Sequence, residues 1–188
     1  MTLRRRWLLL LIPLALTAMG IGVLVTGGHG ASTGANGIWP PARSAYIMTV
    51  GCDQIILIQK SGSESGSRVM LGVVGVPPDY LPGPVPVRQG SWRYWRKYGL
   101  VVRAGSPTVL VSVPKAWQDR VAVTWGNNLP AVNALRLASC SGPAGAWNVY
   151  AGGFFLRSHS ACVPLVFRAG QRSATVRFGI GRRCSRAT

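Results

Sequence analysis

From residue 45 onward one pattern recurs along the chain: apolar side chains at every second position, in short runs punctuated by glycine and proline, with almost nothing of helical period. Val109, Val111 and Val113 alternate with Thr108, Leu110 and Ser112, and Val121, Val123 and Trp125 alternate with Arg120, Ala122 and Thr124. Side chains two apart in a strand share a face, so each run reads as a half-buried strand of an antiparallel sheet. The pattern places strands near 45–50, 54–60, 68–76, 99–103, 108–113, 120–125, 132–139, 147–156, 163–168 and 173–180. Strands this short and evenly spaced predict an all-β fold, an immunoglobulin-like antiparallel β-sandwich or, alternatively, a small β-barrel. Trp117, Trp125 and Trp147 are expected in its core or corners.

The clearest hairpin is C-terminal, where Val163, Leu165 and Phe167 lead into Ala169, Gly170 and Gln171, and Ala174, Val176, Phe178 and Ile180 return. Its other face is expected to carry Arg168, Arg172 and Arg177, with Arg182 and Arg183 just beyond. Guanidiniums aligned on one face repel unless an anion or a ring separates them, so this is one candidate contact surface. A merely solvated face is the alternative reading.

Ser61–Ser67 reads as a flexible loop tip, and Val76–Ser91, with Pro77, Pro78, Pro82, Pro84 and Pro86, as an extended loop exceeding the roughly 12 to 15 residues usual for a structureless connection. It leads into Trp92, Arg93, Tyr94, Trp95, Arg96, Lys97 and Tyr98, where aromatic and basic side chains interleave with no acid. Rings with one wet end beside guanidiniums suit a phosphate, a sugar acid or a lipid headgroup, so this segment is the second candidate contact surface. The competing reading is a strand whose rings fill the core while its bases snorkel.

Residues 1–25 set an address. Arg4, Arg5 and Arg6 precede an uncharged apolar run from Trp7 to Val25. That run is longer than the roughly 7 to 15 residues of a signal-peptide core and close to the about 20 that cross a bilayer. It predicts an uncleaved transmembrane anchor. Pro13, Gly20 and Gly22 weaken the helix and Thr26–Ala31 is small enough for a cleavage region, which keeps a cleaved signal as the alternative. The arginine cluster stays cytoplasmic and no further Lys or Arg follows until Arg43, so the rest of the chain is expected outside. Residues 26–44 read as a Gly-rich, Pro-ended linker and 45–188 as the extracytoplasmic β domain.

The chain carries 21 Lys and Arg against 4 Asp and Glu, a net charge of +17. All the bases but Lys60, Lys97 and Lys115 are arginine, whose planar fork pairs bidentately with phosphate or carboxylate. With only three of these charges in the Arg4–Arg6 cluster, most of the excess belongs to the part expected outside. That location weighs against nucleic acid and points to an anionic lipid, an anionic envelope polymer or an acidic protein as partner.

Cys52, Cys140, Cys162 and Cys184 contain no C-x-x-C pair, which disfavours zinc; an even number of separated cysteines in an exported chain reads as two disulfides. Three connectivities are open, and Cys140 with Cys162 and Cys52 with Cys184 is the expected one. Catalytic chemistry is poorly supplied, since Asp53, Glu64, Asp79 and Asp119 are widely spread. His159, beside Ser158 and Ser160, lacks a nucleophile elbow, and a hydrolase built on it is the minor alternative. No cofactor fingerprint is present, Gly179-Ile180-Gly181 being incomplete.

The segments Ala146–Phe155, Ala161–Cys184 and Val111–Gly126 resemble those of uncharacterised, exported or membrane-anchored actinobacterial envelope proteins. The resemblance implies a Gram-positive envelope location and carries over no catalytic residue. The expected function is therefore a non-enzymatic, membrane-tethered binding module, with an accessory subunit of a membrane complex as the alternative.

Overall fold

The structure, a computed structural model, describes residues 46–62, 68–77 and 80–185. The anchor or signal segment, the linker, Glu64, Asp79 and most of the Ser61–Ser67 loop lie outside these residues.

The described residues form strands and two single-turn 3-10 helices. In chain order the strands are β1 (Met48–Val50), β2 (Ile55–Gln59), β3 (Arg68–Met70), β4 (Val74–Val76), β5 (Tyr80–Leu81), β6 (Val85–Gln89), β7 (Trp92–Lys97), β8 (Leu100–Arg103), β9 (Val109–Ser112), β10 (Val121–Trp125), β11 (Ala134–Leu137), β12 (Trp147–Tyr150), β13 (Gly152–Leu156), β14 (Ala161–Ala169) and β15 (Arg172–Ile180). They assemble into three sheets, ordered β1-β11-β9-β14-β15-β5, β10-β13-β7-β6 and β2-β12-β8-β4-β3. None of the three closes into a barrel. The all-β expectation holds, and the arrangement is consistent with a sandwich.

Pairing is antiparallel except at two edges, where β1 lies parallel to β11 and β5 parallel to β15. These strands are short and reach their partners after long excursions, so no hairpin dictates their direction.

Alternation builds much of the core as the pattern requires, but β10, expected to be half-buried, is buried on both faces, Ala122 and Thr124 included. In β14, Val163, Leu165, Phe167 and Ala169 are buried while Pro164, Val166 and Arg168 face outward. All three sheets feed one apolar cluster. Phe154 of the β10-β13-β7-β6 sheet meets Trp125 edge-on at 5.8 Å and Phe178 of the six-stranded sheet at 5.3 Å, and Phe178 meets Phe167 at 6.3 Å. Trp125 is fully buried, and its indole N–H donates to the Tyr98 carbonyl at 2.9 Å, which satisfies its one polar atom. Trp147 is buried as well, and Trp117 is half-buried against the cluster.

The single run expected over 147–156 divides at Ala151, and β12 and β13 enter different sheets. Gly152 and Gly153 make the crossing possible. A Cβ on Gly152 would collide with the Thr124 carbonyl, and one on Gly153 with the Arg96 carbonyl, at backbone angles (φ +158° and +155°) that side chains seldom adopt. The expected proline-rich loop likewise gives way to β5 and β6. Pro86 is tolerated because β6 is an edge strand, where a missing N–H breaks no inner ladder.

Both disulfides form, in a connectivity other than the expected one. Cys52 pairs with Cys140 and Cys162 with Cys184, with Cα separations of 5.6 and 5.2 Å. Strand pairing decides this. The β1–β11 register (Val50 opposite Leu137) carries the chain onward to Cys52 beside Cys140, while the β14–β15 hairpin sets Cys162 opposite Gly179 and returns Cys184 to it. Tyr150 lies against the first bridge, its hydroxyl 3.5 Å from Cys140 Sγ.

Candidate anion-binding groove

β6 and β7 form a hairpin whose two-residue turn has Gly90 at φ +59°, a left-handed angle that glycine adopts without strain. The turn sets Gln89 opposite Trp92, and a register shift follows between Pro86 and Gln89. On its inner side β7 pairs with β13, Trp95 opposite Phe155 and Tyr94 opposite Leu156. Paired residues share a face, so the Trp95 ring packs on Phe155 with centroids 4.5 Å apart.

Two open depressions flank Val87, which lines both. The first, about 610 Å³, is lined by Pro86, Val87 and Arg88 of β6, Arg93 and Tyr94 of β7, and Arg157 immediately after β13. Three guanidiniums from three elements thus meet with no carboxylate among the described residues of the lining. Arg157 is held over the Trp92 ring at 5.7 Å, and its backbone N–H donates to the Arg120 carbonyl at 3.2 Å. The two acids among the described residues are engaged elsewhere: Asp119 lies 3.9 Å from Arg120, and Asp53 accepts from Gln54 Nε2 at 2.7 Å.

The second depression, about 400 Å³, is lined by Trp95, Lys97 and Phe155, by Gln89, and by the loop that follows β10, including Asn127 and Asn128. That loop is pinned at three points. The Thr124 hydroxyl donates to the Leu129 carbonyl at 3.0 Å, the Asn127 backbone N–H donates to Gln54 Oε1 at 2.7 Å, and the Gly126 N–H donates to the Ala151 carbonyl at 2.7 Å.

Of the residues expected from the Trp92–Tyr98 segment, Arg93 and Tyr94 line the first depression, Trp92 supports it through Arg157, and Trp95 and Lys97 line the second. Arg96 and Tyr98 line neither. Arg96 is half-buried opposite Phe154, and its Nε is buried without a hydrogen-bond partner among the described residues. Tyr98 packs on the core, its N–H donating to the Gly152 carbonyl at 2.8 Å.

The arginines of the C-terminal hairpin do not join this groove. Arg168 and Arg177 lie on its outer face, opposite Ser173 and Pro164. Arg172 departs from the expected shared face: Gly170 and Gln171 alone make the turn, so Arg172 is paired with the inward-facing Ala169. Arg182 and Arg183 lie past the far end of the hairpin, with Arg183 over the Tyr80 ring at 5.6 Å. His159 is exposed, with its ring edge-on to Tyr94 at 5.6 Å.

Arg88, Gln89, Asn127, Asn128 and Arg157 escaped the sequence reading. Gly90 was the available signal for the first two, since a hairpin turn there brings β6 beside the aromatic strand. Arg157, two residues beyond Phe155, continues that residue's face. No protein-family model, curated protein or solved structure matches the chain.

Proposed function

We propose that this protein is a non-enzymatic binding module, tethered outside the cytoplasm by its N-terminal segment, that holds an anionic component of the cell envelope in the groove beside β6 and β7. One observation carries the reading: Arg88, Arg93 and Arg157 converge on one depression with no carboxylate among the described residues of its lining. Guanidinium forks brought together without counter-charge repel one another, and a phosphate or carboxylate removes that repulsion while accepting their donors. The disulfides agree with an oxidising, extracytoplasmic location. The proposed scaffold is a β-sandwich in which the parallel edge pairs are additions to an antiparallel, immunoglobulin-like plan.

The test uses the full-length chain in a neutral detergent, titrated with inorganic polyphosphate across a salt series and followed by tryptophan fluorescence. Affinity is expected to fall steeply with salt. Arg93→Gln combined with Arg157→Gln should weaken binding by at least about tenfold, given the strength of charge-assisted hydrogen bonds. Arg168→Gln combined with Arg177→Gln should change it by less than about twofold, being on a separate exposed face. Equal losses in the two double variants would remove the groove from the proposal.

A further inference from the structure

The groove has a second half that charge alone does not account for. Beside the guanidiniums, across Val87, lies a depression lined by the half-buried Trp95 together with three amide-bearing residues and one lysine. Small anions need no such platform. A pyranose ring does, because it presents an apolar face of C–H bonds and a rim of hydroxyls that both donate and accept. Trp95, braced by Phe155 beside it, matches the first, and Gln89, Asn127 and Asn128 match the second, each amide offering a donor pair and an acceptor. The platform is also rigid: Trp95 sits on a strand paired on both sides, and Asn127 and Asn128 ride on the loop pinned by Thr124, Gln54 and Ala151. Preorganised polar groups bind without the cost of ordering a loop.

We infer that the ligand is an acidic carbohydrate polymer, with a sugar ring seated on Trp95 among the amides and the acidic group of a neighbouring unit held by Arg88, Arg93 and Arg157. This deepens the anion-site reading and rests on it. Lipid headgroups, which offer the charge without a stacked ring, would use only the arginine half.

The full-length chain in neutral detergent is titrated with oligogalacturonate, with a phosphorylated mannan oligosaccharide, with inorganic polyphosphate and with uncharged cellotetraose. At least one acidic oligosaccharide should bind tenfold or more tightly than polyphosphate at matched charge, and cellotetraose should bind more weakly than either acidic sugar. Trp95→Ala should weaken that oligosaccharide at least tenfold and leave polyphosphate within twofold. Gln89→Ala, on the exposed edge strand, provides a second and structurally mild variant with the same selective direction. If neither acidic oligosaccharide outbinds polyphosphate, or if both variants weaken polyphosphate as much as the sugar, the carbohydrate inference is overturned and the anion site stands. Absence of polyphosphate binding by the unmodified protein overturns the anion site itself and this inference with it.

Discussion

At the scale of the residue, scarcity of acid decides where guanidiniums go. Arg103 lies over Trp147 at 5.2 Å, Arg120 over Trp117 at 5.7 Å, Arg157 over Trp92 and Arg183 over Tyr80. With so few carboxylates available, ring faces take up the positive charge that ion pairs hold in an ordinary domain. Tyr150 supplies a titration that can be checked. Burial pushes its hydroxyl above the ordinary value of 10.0, because the phenolate would lose its hydration. As pH rises the unfolded chain releases this proton first, so the contribution to stability is present below about pH 10 and is lost progressively above it. Urea unfolding from pH 7 to 11 should show that Tyr150→Phe shallows the alkaline decline. The same substitution should lower stability at pH 7 by no more than about 1 kcal/mol, the worth of one neutral hydrogen bond. An unchanged alkaline slope would assign the decline to other groups.

At the scale of the element, the two bridges close loops of different length. Cys52–Cys140 spans 88 residues and ties the chain beyond β1 to the chain beyond β11, whereas Cys162–Cys184 spans 22 and staples one hairpin. Loop-closure entropy assigns about 4 to 5 kcal/mol to the longer and about 3 kcal/mol to the shorter. Cys52→Ala with Cys140→Ala should therefore lower the urea midpoint more than Cys162→Ala with Cys184→Ala, and peptide mapping of the unmodified protein should recover the two bridges separately. A larger loss from the hairpin pair would mean that β14 and β15 depend on their staple more than on their buried valine, leucine and phenylalanine face. Most β strands were legible where one face is buried and the other wet, although the single strand expected over 68–76 folds back on itself as β3 and β4. Strands were not legible in Val76–Ser91, because prolines that forbid an inner strand are harmless on the open edge of β6.

At the scale of the molecule, a net charge of +17 with few ion pairs makes self-repulsion part of the folding balance. Screening should relieve it. Raising sodium chloride from 0.02 to 0.3 M is expected to stabilise the protein by about 1 kcal/mol, read as a rise of about 2 to 4 °C in Tm by calorimetry. If the arginine depression holds an anion as proposed, inorganic phosphate at the same ionic strength should add a further rise. A Tm that falls as salt is added would indicate favourable charge pairing that outweighs the repulsion.

Period-two alternation determined the all-β class by itself, because a strand's faces are set by local geometry, and the even set of separated cysteines determined that bridges would form. The aromatic and basic run from Trp92 to Tyr98 likewise contributes Arg93, Tyr94, Trp95 and Lys97 to the candidate groove, but not Arg96 or Tyr98. Which cysteine met which, and which arginines joined the site, were decided only by tertiary structure. Arg88 and Arg93 become neighbours through the local Gly90 turn, but Arg157 joins them only through the β7–β13 pairing, a contact between distant parts of the chain that no local pattern encodes.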